Sequence, residues 1–190
     1  MASSNINPVQ SARYGILSEV VLLIASSSDL ESLLDDLVGK IKWVLEFDRC
    51  RLALADDNGA AYELRTLMDL TDSTSDPDER FVHITEGMCG AVIQSNQLRL
   101  ISDLSAQQMQ PMPSHDTPVQ ALSDGSLLAL PLSAYGKVLG ALTFESRKVN
   151  AYSREDIKIA TSIAAHLALA IDRALQVTRL QTANQELTQS

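Results

Sequence analysis

Between Leu127 and Ala174 the chain reads LLALPLSAYGKVLGALTFESRKVNAYSREDIKIATSIAAHLALAIDRA, and few folds accommodate such a stretch. Two apolar runs flank Tyr135-Gly136-Lys137, residues suited to a tight turn, so the runs read as a strand pair. Ser153 with Asp156 three residues later forms a capping box, in which each side chain satisfies a backbone N–H of the other residue. The helix that follows is amphipathic and does not stop where its core-facing stripe ends. It continues into LQVTRLQTANQELTQS, polar except for a thin apolar seam. A core hairpin feeding a helix that leaves the domain suits a module that passes a signal onward. It suits an enzyme much less.

The preceding chain supplies a partner for that hairpin. Residues 1–12 are polar and read as a loose arm. Ile16, Val20, Leu23 and Ile24 recur at helical spacing until Ser26-Ser27-Ser28 interrupts them. Ser28 with Glu31 reads as a second capping box. The stripe Leu30, Leu33, Leu34, Leu37, Val38, Ile41, Val44 and Leu45 then marks a helix with one buried face. CRLALA and AAYELRTL flank Asp57-Asn58-Gly59, a hairpin signal because these turn residues tolerate positive φ. An acidic loop, MDLTDSTSDPDE, leads to a third strand, RFVHIT, then a glycine-opened helix, GMCGAVIQSNQ, and a fourth strand, LRLISD. From Leu104 to Asp124 no period is sustained, and a segment of that length in a compact domain reads as a functional loop. The order is helix, helix, three strands, helix, strand, loop, two strands, helix. This predicts an α+β domain over 13–175, with an antiparallel sheet, terminal helices on one face and the irregular region on the other. Residues 176–190 form an output helix.

Composition narrows the function. A formal net charge of -9 opposes binding to a phosphate backbone, which sets nucleic acid aside. The apolar run Val20–Ala25 falls far short of the ~18 residues a membrane span requires. The N-terminus lacks the basic start and apolar body of a secretion signal. Two cysteines, Cys50 and Cys89, do not make a disulfide framework, so a reducing, cytoplasmic setting is expected.

Three segments, in this order, resemble the GAF domain family of signalling modules. ASSSDLESLLDDLVGKIKWVLEFDRCRLALAD resembles its second helix and first strand, and TEGMCGAVIQSNQLRLISD its glycine-bracketed helix and next strand, ending at Asp103. The closing hairpin with YSREDIKIATSIAAHLALAIDRA completes the likeness, which covers Asp29 to Ala174. The resemblance implies a six-stranded antiparallel sheet with a ligand pocket between the sheet and the irregular segment before the last hairpin. It also implies terminal helices that pair two subunits and lead into kinase, phosphatase or cyclase effectors. Around such a pocket the contributors would be Phe81, His83, Cys89, Asp103, His115, Asp116 and Thr143.

Fold does not assign a ligand, so the residues must. Where cyclic-nucleotide-binding relatives carry Asn-Lys, Phe and Asp-Glu, this chain has Ser146-Arg147, Tyr152 and Glu155-Asp156; the asparagine is gone. Covalent bilin needs a cysteine in the segment before the last hairpin, which here holds Ser114-His115 and no thiol. Haem or a metal needs a ligand set, whereas His83, His115 and His166 are scattered. The acidic loop, with Asp69, Asp72, Asp76, Asp78 and Glu79, lacks the spacing of a calcium loop. Ser114-His115-Asp116 is adjacent in sequence rather than convergent in space, so it does not make a catalytic triad. The cysteines read as small buried apolar residues, not as the thiol set of the methionine sulfoxide-reducing relatives. The cofactor stays unassigned.

The seam of the output helix runs Val177, Leu180, Asn184, Leu187, spaced three, four, three. That is an a/d pattern with asparagine at an a position, which fixes register and favours two strands. The expectation is a non-catalytic sensory or regulatory module, homodimeric through its terminal helices. The alternative is a GAF-fold scaffold that binds partner proteins and no small ligand.

Overall fold

The computed structural model describes residues 7–71, 79–107 and 124–189. Its elements are α1 (Pro8–Ser26), α2 (Leu30–Ile41), β1 (Arg49–Ala55), β2 (Ala61–Asp69), β3 (Glu79–His83), α3 (Gly87–Ser95), β4 (Arg99–Ile101), α4 (Leu104–Gln107), β5 (Ser126–Ala134), β6 (Lys137–Ser146) and α5 (Arg154–Gln189). The six strands make one antiparallel sheet in the order β3-β2-β1-β6-β5-β4, so β1 and β6 lie at its centre. This is the predicted order of elements.

Side chains alternate across a strand, and the alternation here builds two cores. Cys50 and Leu52 of β1, Leu128, Leu130 and Leu132 of β5, and Leu142 and Phe144 of β6 face α1, α2 and α5. Ala53, Leu127, Ala129 and Ala141 face the other way, toward α3, and pack with Tyr62, Cys89, Val92 and Ile101. Leu37, Leu52, Leu128, Leu142 and Ile163 are each 0–1 % exposed. Burial of that completeness contributes about 1.5–3 kcal/mol for each side chain. Phe47 and Phe144 meet at 5.3 Å between ring centroids, which fixes the turn after α2 against β6.

Local signals explain the element ends. The β5–β6 turn places Tyr135 at φ 50 and Gly136 at φ 78, the paired positive values of a tight two-residue hairpin. At α5 the Ser153 N–H donates to Asp156 Oδ2 at 2.8 Å and the Asp156 N–H to Ser153 Oγ at 3.2 Å, closing the expected capping box. Gly125 has φ +106, and an added Cβ would lie 1.9 Å from the Ser146 carbonyl oxygen, so only glycine lets β5 begin this close to β6.

Three boundaries differ from the sequence reading. The polar arm ends earlier, because Asn7 caps α1 through its Oδ1 at 3.1 Å from the Val9 N–H, and Pro8 suits the first helical turn. The cap of α2 is Asp29 rather than Ser28: its carboxylate accepts from the Ser32 N–H at 3.1 Å and the Ser32 hydroxyl at 2.6 Å. Four residues of the segment expected to be irregular form α4, which Asp103 caps. The remainder of that segment and most of the acidic loop lie outside the described residues.

Candidate functional site: a buried polar patch on the central strands

Period-2 alternation places Arg49, Arg51, Thr143 and Glu145 on the sheet face turned away from α1, α2 and α5. Arg51 lies opposite Thr143 and Arg49 opposite Glu145, so the four occupy two adjacent rungs of the central strand pair. All are buried, at 3 %, 8 %, 2 % and 0 % exposure in that numerical order. Such charged side chains are almost never this deeply buried unless paired.

The pairing is present but incomplete. Glu145 accepts from Arg51 Nη2 and lies 3.7 Å from Arg49 Nη1. Arg49 Nε is 3.0 Å from Asp69 Oδ2, and its Nη2 donates to Thr71 Oγ1 at 3.0 Å. A bulge in the β1–β2 register at Cys50/Arg51 makes this possible. Thr66 lies opposite Arg51, and simple alternation would turn Asp69 to the other face; the shifted register sets it opposite Arg49. Among the described residues the charges balance, two guanidinium groups against two carboxylates. Yet Arg51 Nε, Thr143 Oγ1 and Glu145 Oε2 have no hydrogen-bond partner. A buried polar atom left unsatisfied costs on the order of 1–3 kcal/mol. The patch therefore holds unmet demand for one acceptor and at least one donor.

The structure brings only part of the expected pocket together. Thr143 is in the patch. Cys89 is on the same side of the sheet, buried in α3 among apolar neighbours. Asp103 is committed to α4: its carboxylate accepts from the Ser105 N–H at 3.0 Å and hydroxyl at 2.6 Å, and the Ser105 hydroxyl chiefly holds it below the usual carboxylate range. Phe81 and His83 go elsewhere. Phe81 lies opposite Glu63, whose partner Arg65 reaches Glu31 on α2, so the alternation turns both side chains to the helix-bearing face. Phe81 is 77 % exposed at the wall of a groove of about 570 Å³ between α2, β2 and α5. His83 is exposed, with Nδ1 2.8 Å from Thr85 Oγ1. His115 and Asp116 lie outside the described residues.

Arg51 and Glu145 are single charged residues within the apolar runs CRLALA and ALTFES, and Arg49 lies just before the first, so hydropathy alone does not mark them. The signal lies in β1, where Arg49 and Arg51 alternate with apolar residues, and in the lone charge of Glu145 near the end of β6.

Other candidate chemistry is absorbed by structure. Cys50 and Cys89 sit in separate cores on opposite faces of the sheet, and burial first, then Glu145, pushes the Cys50 thiol well up. The nucleotide-type pattern is spent on packing. Tyr152 is buried against the helices, Glu155 accepts from Tyr14, and Asp156 binds Arg13 at 2.5 Å. His166 Nδ1 lies 2.7 Å from the Ser162 carbonyl, one turn back on α5. Among the described residues no cluster of three His, Cys, Asp or Glu side chains is placed to hold a metal. No described helix is long and apolar enough to cross a membrane.

Solved structures share this architecture. The GAF domain of a phosphoenolpyruvate-protein phosphotransferase from Coxiella burnetii superposes with TM-score 0.73 at 19% identity, covering 91% of this chain and 99% of that one. The corresponding Acinetobacter domain gives 0.69 at 20% identity, covering 88% and 98%. The free methionine-R-sulfoxide reductase of Neisseria meningitidis, solved with its substrate, gives 0.67 at 16% identity, covering 93% and 98%. Identities this low establish the fold alone. A search of curated proteins finds no match to the sequence. Residues 27–172, well over half of the chain, match the GAF domain family. The chain belongs to the GAF domain family.

Proposed function

We propose that this GAF domain is a non-catalytic sensory or regulatory module that binds a small ligand at the Arg49–Arg51–Thr143–Glu145 patch. In this reading it transmits occupancy through paired α5 helices to an effector. The carrying observation is α5 itself. It is one helix of 36 residues, about 54 Å long at the helical rise, whose first half packs on the sheet. Its seam residues Val177, Leu180 and Leu187 are 48 %, 67 % and 75 % exposed, which suits a face that another helix covers. A second copy of the chain fits best, because Asn184 on that seam can pair with its own mate. Against catalysis stand the separation and burial of the two thiols.

The test is oligomeric state by sedimentation. Asn184→Leu should change association or stability more than Gln181→Leu, one position class away from the seam. Equal effects would remove the helix-pairing reading. The scaffold alternative draws on the exposed Phe81 in the groove beside α5. It gains if Phe81→Ser abolishes capture of a partner protein and no small ligand co-purifies.

A further inference from the structure

We propose that the patch receives an uncharged group in which an acceptor oxygen sits beside an N–H donor, such as an amide, lactam or ureide edge. This rests on the reading of the patch as the ligand site and names the chemistry that it selects. Three observations lead there. First, the unmet atoms are of both kinds: Arg51 Nε–H can only donate, Glu145 Oε2 can only accept, and the Thr143 hydroxyl can do either. Second, they belong to two neighbouring rungs, with Arg51 already tied to Glu145 through Nη2, so the demands lie side by side. Third, the charge account is closed. Among the described residues Arg49 and Arg51 face Glu145 and Asp69, which leaves no spare cation there for a phosphate or carboxylate and no spare anion for an amine. A net-charged group would enter as an uncompensated buried charge, the costliest thing a protein interior can hold. Ala129 beside Thr143, and Ala53 with Ala141 on the next rung, all buried on the same face, put short side chains next to the patch.

In the bound geometry the ligand oxygen accepts from Arg51 Nε–H and the Thr143 hydroxyl, and the ligand N–H donates to Glu145 Oε2. One ordered water could meet the same demands, so water is the competitor to be separated.

The test uses the whole chain and small probes at millimolar concentration: acetamide, 2-pyrrolidinone and urea against acetate and methylammonium. Backbone amide shifts of residues 49–53 and 141–146 are followed by NMR. The amide-bearing probes should shift these residues saturably, and Thr143→Val should weaken the binding about tenfold while Thr143→Ser restores it. Acetate or methylammonium shifting the same residues as strongly would overturn the ligand class and leave the site standing. No probe shifting them, with an ordered water seen by NOE at residue 143, would overturn the site itself.

Discussion

Replacing Thr143 by valine should make the ligand-free protein more stable. The hydroxyl is buried with the residue 2 % exposed, and its oxygen has no hydrogen-bond partner. In wild type it therefore carries a desolvation cost of about 1–3 kcal/mol with no compensating bond. Valine has the same branched shape, with a methyl in the hydroxyl's place that carries no such desolvation cost. Some of the gain is lost to imperfect fit, which leaves a net stabilisation of about 1 kcal/mol. The assay is urea unfolding of protein purified under denaturing conditions and refolded, so that no carried ligand contributes. The midpoint should rise with m unchanged, and Tm should rise by roughly 2–4 °C for a chain of this length. With an amide-bearing ligand present the order should reverse, since only wild type gains the full linkage term. A valine variant less stable by about 1 kcal/mol without ligand would refute the reasoning, because the hydroxyl would then be satisfied in the native state.

Glu145→Gln should destabilise by about 3–5 kcal/mol, because it strands Arg51 and weakens the support of Arg49; the Arg51→Met, Glu145→Leu pair should recover most of that in the same urea titration. Asp156 should contribute to acid sensitivity. Burial raises its pKa, but hydrogen bonds from Ser153 and the Arg13 guanidinium outweigh that and hold it below the usual value. A carboxyl depressed on folding stabilises above its unfolded pKa, near 4, and that contribution is lost as pH falls through the folded value. Asp156→Asn should therefore lose less stability than wild type between pH 4.5 and 2.5, and equal losses in acid melts would contradict the assignment. Gly125→Ala should cost several kcal/mol or prevent folding, since its methyl meets the Ser146 carbonyl and its φ is +106; a melting temperature matching wild type would show that the β5 start can shift.

Most of the fold was legible because it depends on period and punctuation. The apolar stripe of α2, the Tyr135-Gly136 turn and the Ser153–Asp156 box each force one local structure, and together they order the strands. The α1 start was missed because Asn7-Pro8 sits among polar residues where hydropathy has no contrast. Of the residues in the proposed patch, only Thr143 stands out in the sequence as a pocket candidate. Phe81 and His83 looked suitable by chemistry, but their facing depends on the β2–β3 register, a long-range property that no local pattern carries. Asp69 depends on a bulge for the same reason: one extra residue in β2 decides which face it joins. Arg49, Arg51 and Glu145 become a patch only once β1 is known to pair with β6, strands separated by more than eighty residues of sequence.

Native mass spectrometry of the chain purified from its own source tests the central claim most directly. Sensing through paired output helices predicts a two-chain species in which each chain carries one small, uncharged, amide-bearing molecule, at reduced occupancy when Thr143 is valine. A bare single chain, unchanged by that substitution, would contradict it.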